Sequence, residues 1–78
     1  MIYELKTWTE YFEEVFMGHK NFEVRKADRP FAKGDTLILK EWNPITKQYT
    51  GRQMARIVCY ILEGGQFGVE QGYVVMSI

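Results

Sequence analysis

Cysteine and histidine are nearly missing from this chain of 78 residues: Cys59 and His19 each stand alone. A single cysteine excludes an internal disulfide, and one histidine excludes a Cys/His cluster of structural-zinc spacing, so stability has to come from apolar packing. Net charge is missing as well. Ten basic residues cancel ten acidic ones, which removes any whole-molecule field toward nucleic acid or an acidic membrane and makes every such attraction local. No apolar run approaches the length of a membrane span, and Met1 to Lys6 lacks the basic flank and apolar core of a signal peptide. The chain is therefore expected to be cytoplasmic, with no membrane partner, metal or cofactor. Linkers, repeats and low-complexity tracts are absent too, so residues 1–78 read as one domain.

What is present suits a folded domain. Hydrophobic residues make up 46% and aromatics 15% of the chain, more than a disordered segment carries, and the length suffices for one small core. Charge is segregated along the sequence. Glu4 to Glu14 is acidic, whereas Gly18 to Arg29 places Lys20, Arg25, Lys26 and Arg29 against Glu23 and Asp28, with His19 able to add a charge when protonated.

Ile2 to Lys6 alternates with the period of a half-buried strand. From Trp8 the period changes: Trp8, Tyr11, Phe12, Val15 and Phe16 recur along one helical face. Thr7 with Glu10 predicts a capping box, and Gly18 stands where a left-handed helix terminator belongs. Phe22 and Val24 alternate with Glu23 and Arg25, a second short strand with one apolar and one ionic face. Asp28 to Gly34 reads as loop, and Asp35 to Trp42 as a long strand. Asn43-Pro44 and Thr50-Gly51 bracket a polar tip, which predicts an antiparallel hairpin with a second run, Arg52 to Leu62. Gly64, Gly65 and Gly68 form a loop before a last strand, Tyr73 to Ile78. Short strands around one helix give an α+β class and predict a strongly bent sheet or partly closed barrel of about five to six mostly antiparallel strands.

The segment that carries chemistry is Gly18-x-Lys20-x-x-Glu23-x-Arg25, continued by Lys26, Asp28 and Arg29. Gly18 turns the chain at the helix end, Lys20 emerges as a point charge, and Glu23 and Arg25, two apart on a strand, share a face. An ammonium, a carboxylate and a guanidinium are thereby expected to converge. The bland alternative has Lys20 complementing the helix dipole while Glu23 and Arg25 form a surface pair worth about 0–1 kcal/mol.

These residues, with Glu4-Leu5-Lys6-Thr7-Trp8, Tyr11-Phe12, Gly34-Asp35-Thr36-Leu37, Tyr49-Thr50-Gly51-Arg52 and Gly72-Tyr73-Val74-Val75, resemble the ASCH superfamily, and within it a small bacterial and phage branch, DUF3850-like. That branch often carries histidine and proline where this chain has Tyr3 and Thr9. The resemblance implies a PUA-like β-barrel with the helix packed beside it and a cleft between them that binds RNA or a nucleoside-like ligand. Lys6, Trp8, Lys20, Glu23, Arg25, Lys26 and Arg29 are then the expected binding set. Lysines would hold phosphates, Arg25 would stack on or fork toward a base, Trp8 or Tyr49 would offer a ring, and Glu23 would accept hydrogen bonds. A second implication is enzymatic, because some ASCH proteins deacylate modified cytidine through a lysine, a threonine and a glutamate. Lys20 matches the lysine. Glu23 stands where those enzymes have threonine, so it would activate water while Lys20 stabilises an oxyanion; Glu41, Glu63 and Glu70 are all open for the glutamate.

A third reading is a protein-interaction module using Trp42, Tyr49 and Phe67, against the alternative that each ring covers an end of the core. Cys59, inside an apolar run, is expected to be a small buried hydrophobe. Gly64-Gly65-x-x-Gly68 lacks the Lys-Ser/Thr ending of a phosphate loop.

Overall fold

Alternation carries the first strand past Lys6. Tyr3, Leu5 and Thr7 face inward and Glu4, Lys6 and Trp8 outward, so that in the computed structural model, which describes residues 1–78, strand β1 spans Ile2–Trp8. The helix α1, Thr9–Phe16, follows without a connecting loop. The expected capping box does not form: Trp8 is the N-cap and no side chain caps the helix. Thr7 is still part of the strand, where its hydroxyl donates to the Leu5 carbonyl at 3.3 Å. At the other end the sequence signal holds. Gly18 has φ +79°, its N–H donates to the Val15 carbonyl at 3.0 Å and that of His19 to the Glu14 carbonyl at 2.9 Å. This is the Schellman arrangement, and the positive φ is why glycine stands there.

Strand β2, Phe22–Lys26, leads through a loop to β3, Thr36–Asn43, and β4, Gln48–Ile57. Short strands β5, Tyr60–Glu63, and β6, Tyr73–Ser77, complete the chain. The six strands form two three-stranded sheets, ordered β1-β3-β4 and β2-β6-β5. Only the β1–β3 pair is parallel; the other three pairs are antiparallel. The expected single run from Arg52 to Leu62 is in fact two strands in different sheets. The chain changes sheet at Val58 and Cys59, where Val58 bonds back to Asp35 and Cys59 to Ser77. Val58 is buried there and Cys59 is exposed, the reverse of the expected burial of the thiol.

Between β3 and β4 the turn is shorter than its composition suggests. Asn43 closes it by accepting the Ile45 and Thr46 N–H groups on its side chain, at 2.8 and 3.2 Å. Thr50-Gly51 is not part of the turn. It belongs to a bulge, since Lys40 pairs with Gln53 while Trp42 pairs with Tyr49, which leaves extra residues on β4. Gly51, at φ +94°, supplies the left-handed residue the bulge needs.

The core lies between the sheets and beneath the helix: Leu5, Leu37 and Leu39 from one sheet, Val74 and Met76 from the other, Phe12 and Val15 from α1, and Val58 at the crossing. Each such side chain contributes about 1.5–3 kcal/mol on leaving water. The helical face read from the sequence is thus divided. Phe12 and Val15 enter the core, while Trp8, Tyr11 and Phe16 stay exposed. Leu39, fully buried at the centre of β3, is expected to lose about 2–5 kcal/mol on Leu39→Ala. Ile45→Ala, in the exposed turn, should stay within about 0.5 kcal/mol; urea unfolding of both variants checks the contrast.

Candidate functional site

Strand β2 lies at the edge of its sheet and turns its ionic residues toward the core. Glu23 pairs in register with Met76 and Arg25 with Val74, both core residues, so the charged side chains share the inner face and Phe22 and Val24 face solvent. A carboxylate 4% exposed is retained only with partners of opposite charge. Glu23 has two. Lys20 Nζ donates to Oε1 at 3.2 Å and Arg25 Nε to Oε2 at 3.0 Å. Lys20 is steadied by the Phe22 carbonyl at 2.7 Å and sits 4.9 Å from the centre of the Phe22 ring. The convergence expected from spacing is present, and it is buried rather than superficial.

Arg25 also reaches across to the other sheet. Its Nη2 donates to the Lys6 carbonyl at 3.0 Å and the Thr7 hydroxyl at 3.3 Å. Arg29, just beyond β2, does the same one step earlier, donating to the Glu4 carbonyl at 3.1 Å and lying over the Tyr3 ring. The carbonyls of Glu4 and Lys6 are two residues apart on β1, which is itself an edge strand with no neighbour on that side. Guanidinium groups thus take the place of a partner strand's N–H groups, and the sheets are joined there by side chains instead of a ladder.

Because side chains span that seam, it is not closed. A cavity of about 430 Å³ lies over Glu23, lined by Lys6, Thr7, Trp8, Tyr11, Lys20, Val24 and Arg25. A second, of about 260 Å³, runs from Lys6 and Arg25 to Lys26, Asp28, Arg29, Glu4 and Phe31. Lys6 and Arg25 border both, so the seven expected residues Lys6, Trp8, Lys20, Glu23, Arg25, Lys26 and Arg29 line adjoining spaces. Trp8 and Tyr11 form one wall of the larger. They are 48% and 46% exposed, with ring centres 6.4 Å apart and planes within 22°. Tyr11 and Thr7 were legible in the sequence only as helix face and cap. The three-residue step from Trp8 to Tyr11 and the inward parity of Tyr3, Leu5 and Thr7 were the signals for their true place.

Glu41, Glu63 and Glu70 line neither cavity. Glu63 and Glu70 are exposed, and Glu41 is the centre of a separate network that the sequence did not announce. Only 2% exposed, it receives Arg52 Nε and Nη2 on its two oxygens, each at 2.9 Å, together with the Thr50 hydroxyl. Arg52 also contacts Glu13 and lies over the Phe12 ring, 5.1 Å from its centre. The bulge at Gly51 aims Thr50 and Arg52 at the same carboxylate. This fork ties β4 to β3 and to the helix that carries Tyr11.

The family described as "Domain of unknown function (DUF3850)" matches residues 2–78. The chain is also similar to a protein of Escherichia phage P2, described as an uncharacterized 12.9 kDa protein in the GpA 3' region. The two are 47% identical over 57 residues, which cover 72% of this chain and 50% of the phage protein. The chain thus matches about half the length of that relative.

The hydrogen bonds from Arg52 hold the Glu41 carboxyl below its ordinary value of 4.5, against the opposing effect of burial. The folded chain therefore binds fewer protons than the unfolded one between the two values. Stability from this pair is complete above the ordinary value and is lost as pH falls through the lowered one. Arg52→Met, which keeps an unbranched stem and removes the guanidinium, is expected to lower the urea midpoint clearly at neutral pH, with the gap from the unmodified chain narrowing below about pH 4.5. Urea melts across that range test this, and a gap independent of pH would contradict it.

Proposed function

We propose that this chain, which belongs to the DUF3850 family, is a PUA-like ASCH domain whose cleft binds RNA through a single unpaired nucleotide. The observation that carries the reading is the cavity of about 430 Å³, where a buried carboxylate flanked by two cations faces an exposed aromatic pair. A nucleobase asks for that combination: a ring to lie against, and donors and acceptors for its polar edge. Trp8 and Tyr11 offer the rings. Glu23 keeps free lone pairs beyond those used by Lys20 and Arg25, and accepts from an exocyclic amine or a hydroxyl. Lys6, at the mouth shared with the second cavity, and Lys26 beyond it suit the flanking phosphates. The volume fits one base and its sugar, not a duplex. The helix beside the charged motif supports this reading, and the two three-stranded sheets joined by side chains at the seam stand for an open form of the barrel that the resemblance implies.

Two cations already held by Glu23 contribute little free charge, so binding should be modest and salt-sensitive. With two to four phosphates contacted, the slope of log affinity against log salt is expected at about −1.4 to −2.8 for a single strand. Fluorescence anisotropy with single-stranded and duplex RNA at two salt concentrations measures it. Trp8→Ala should weaken single-strand binding roughly five-fold or more, and Lys6→Ala should make the slope shallower by about 0.7. Absence of salt-dependent binding would overturn the proposal. The same preparation incubated with N4-acetylcytidine tests the hydrolytic reading. Release of cytidine that disappears in Lys20→Ala would replace a binding function with a catalytic one.

A further inference from the structure

The cleft is one end of a longer feature. On the outer face of the first sheet the registers place Trp8 beside Trp42 and Trp42 beside Tyr49, a row of three aromatic residues across β1, β3 and β4. Two residues along, the same registers give Lys6, Lys40 and Gln53. The rows interlock. Lys6 Nζ lies 4.3 Å from the centre of the Trp42 ring and Lys40 Nζ 5.4 Å from that of Tyr49, while Trp8 and Trp42 have ring centres 6.5 Å apart. These side chains are exposed or half-buried, and the helix packs on the opposite, inner face. The one acid among them, Glu4, lies 3.8 Å from Lys40.

From this register we infer that the outer face of the β1-β3-β4 sheet is a binding track for single-stranded nucleic acid, continuing from the cleft at Trp8 toward β4. Rings and ammonium groups run in two parallel rows across strands about 4.8 Å apart, each lysine leaning against the ring on the next strand, which suits a chain with its unstacked bases along one side and its phosphates along the other. The lysine pair Lys6 and Lys40 disfavours a protein partner, since lysine is depleted from the centres of protein interfaces while aromatic rings with cations are the usual platform for unpaired bases. A duplex, with its bases already stacked, would leave the rings unused. The inference takes its class of occupant from the proposed function, but its residues Lys40, Trp42 and Tyr49 line neither cavity.

Anisotropy titrations with labelled di- and octauridylate separate the two. The octanucleotide should bind more tightly than the dinucleotide. Tyr49→Ala, at a side chain 54% exposed, should weaken octanucleotide binding about 5- to 100-fold, and Lys40→Ala should make its salt slope shallower by about 0.7. Both variants should leave dinucleotide binding and the thermal midpoint close to those of the unmodified chain. Dinucleotide binding with octanucleotide affinity untouched by either variant would overturn the track and leave the cleft. Octanucleotide binding that depends on Tyr49 and Lys40, without dinucleotide binding, would support the track and remove the cleft. Loss of both would overturn both. Displacement of the octanucleotide by polyglutamate of equal charge, with Tyr49→Ala silent, would mark a surface for acidic protein and overturn the inference.

Discussion

The backbone edge of β1 has no strand to pair with, and the molecule is organised around how that edge is satisfied. Two arginines from the β2 region donate to the carbonyls of Glu4 and Lys6. A guanidinium on its stem is much longer than a backbone N–H, so the edges it joins stand apart, and the gap is the cleft. A ladder would have sealed the seam and left no room over Glu23. Desolvation follows from the same geometry. Arg25 can bridge the sheets only by lying on the inner face, and it brings Glu23 inward as its counterion. Lys20, delivered by the helix terminator at Gly18, supplies the second positive charge that makes a buried carboxylate tolerable.

The clusters around Glu23 and Glu41 divide the work. Glu23 sits beneath an opening, with its cations partly exposed, whereas Glu41 is covered by Arg52, Thr50 and the helix and faces no cavity. Similar chemistry serves adhesion in one place and, on the proposed reading, recognition in the other. What separates them is access, set by the bulge at Gly51 that folds Arg52 over its partner.

Much of this was legible in the sequence, and the failures share a cause. Period-based reading found the helix, the glycine that ends it, the long strand from Asp35 and the final strand. Two-residue spacing put Glu23 and Arg25 on one face. It could not say which face pointed inward. Alternation gave this strand one apolar and one ionic face, but an edge strand beside a second sheet places its side chains by what they can reach across the seam. Cys59 was misread because an apolar run conceals a change of sheet, which reverses the inward and outward positions. Thr50-Gly51 looked like a turn because a bulge and a turn use the same residue types for the same backbone reason. The partnership of Glu41 with Arg52 leaves no local trace, since it depends on a strand register eleven residues across a hairpin.

The pairing scheme has a consequence for how the molecule must be handled and made. Ile2 finds its register partner only at Thr36, and Phe22 only at Ser77. Both walls of the opening therefore wait for chain that emerges later from the ribosome, and β2 has no other neighbour than the closing segment. A product that stops short of Tyr73 would lose Val74 and Met76 from the core and leave a carboxylate-bearing strand with nothing beside it. Those final residues are a wall of the structure, and shortened or tagged versions should be built with that in mind.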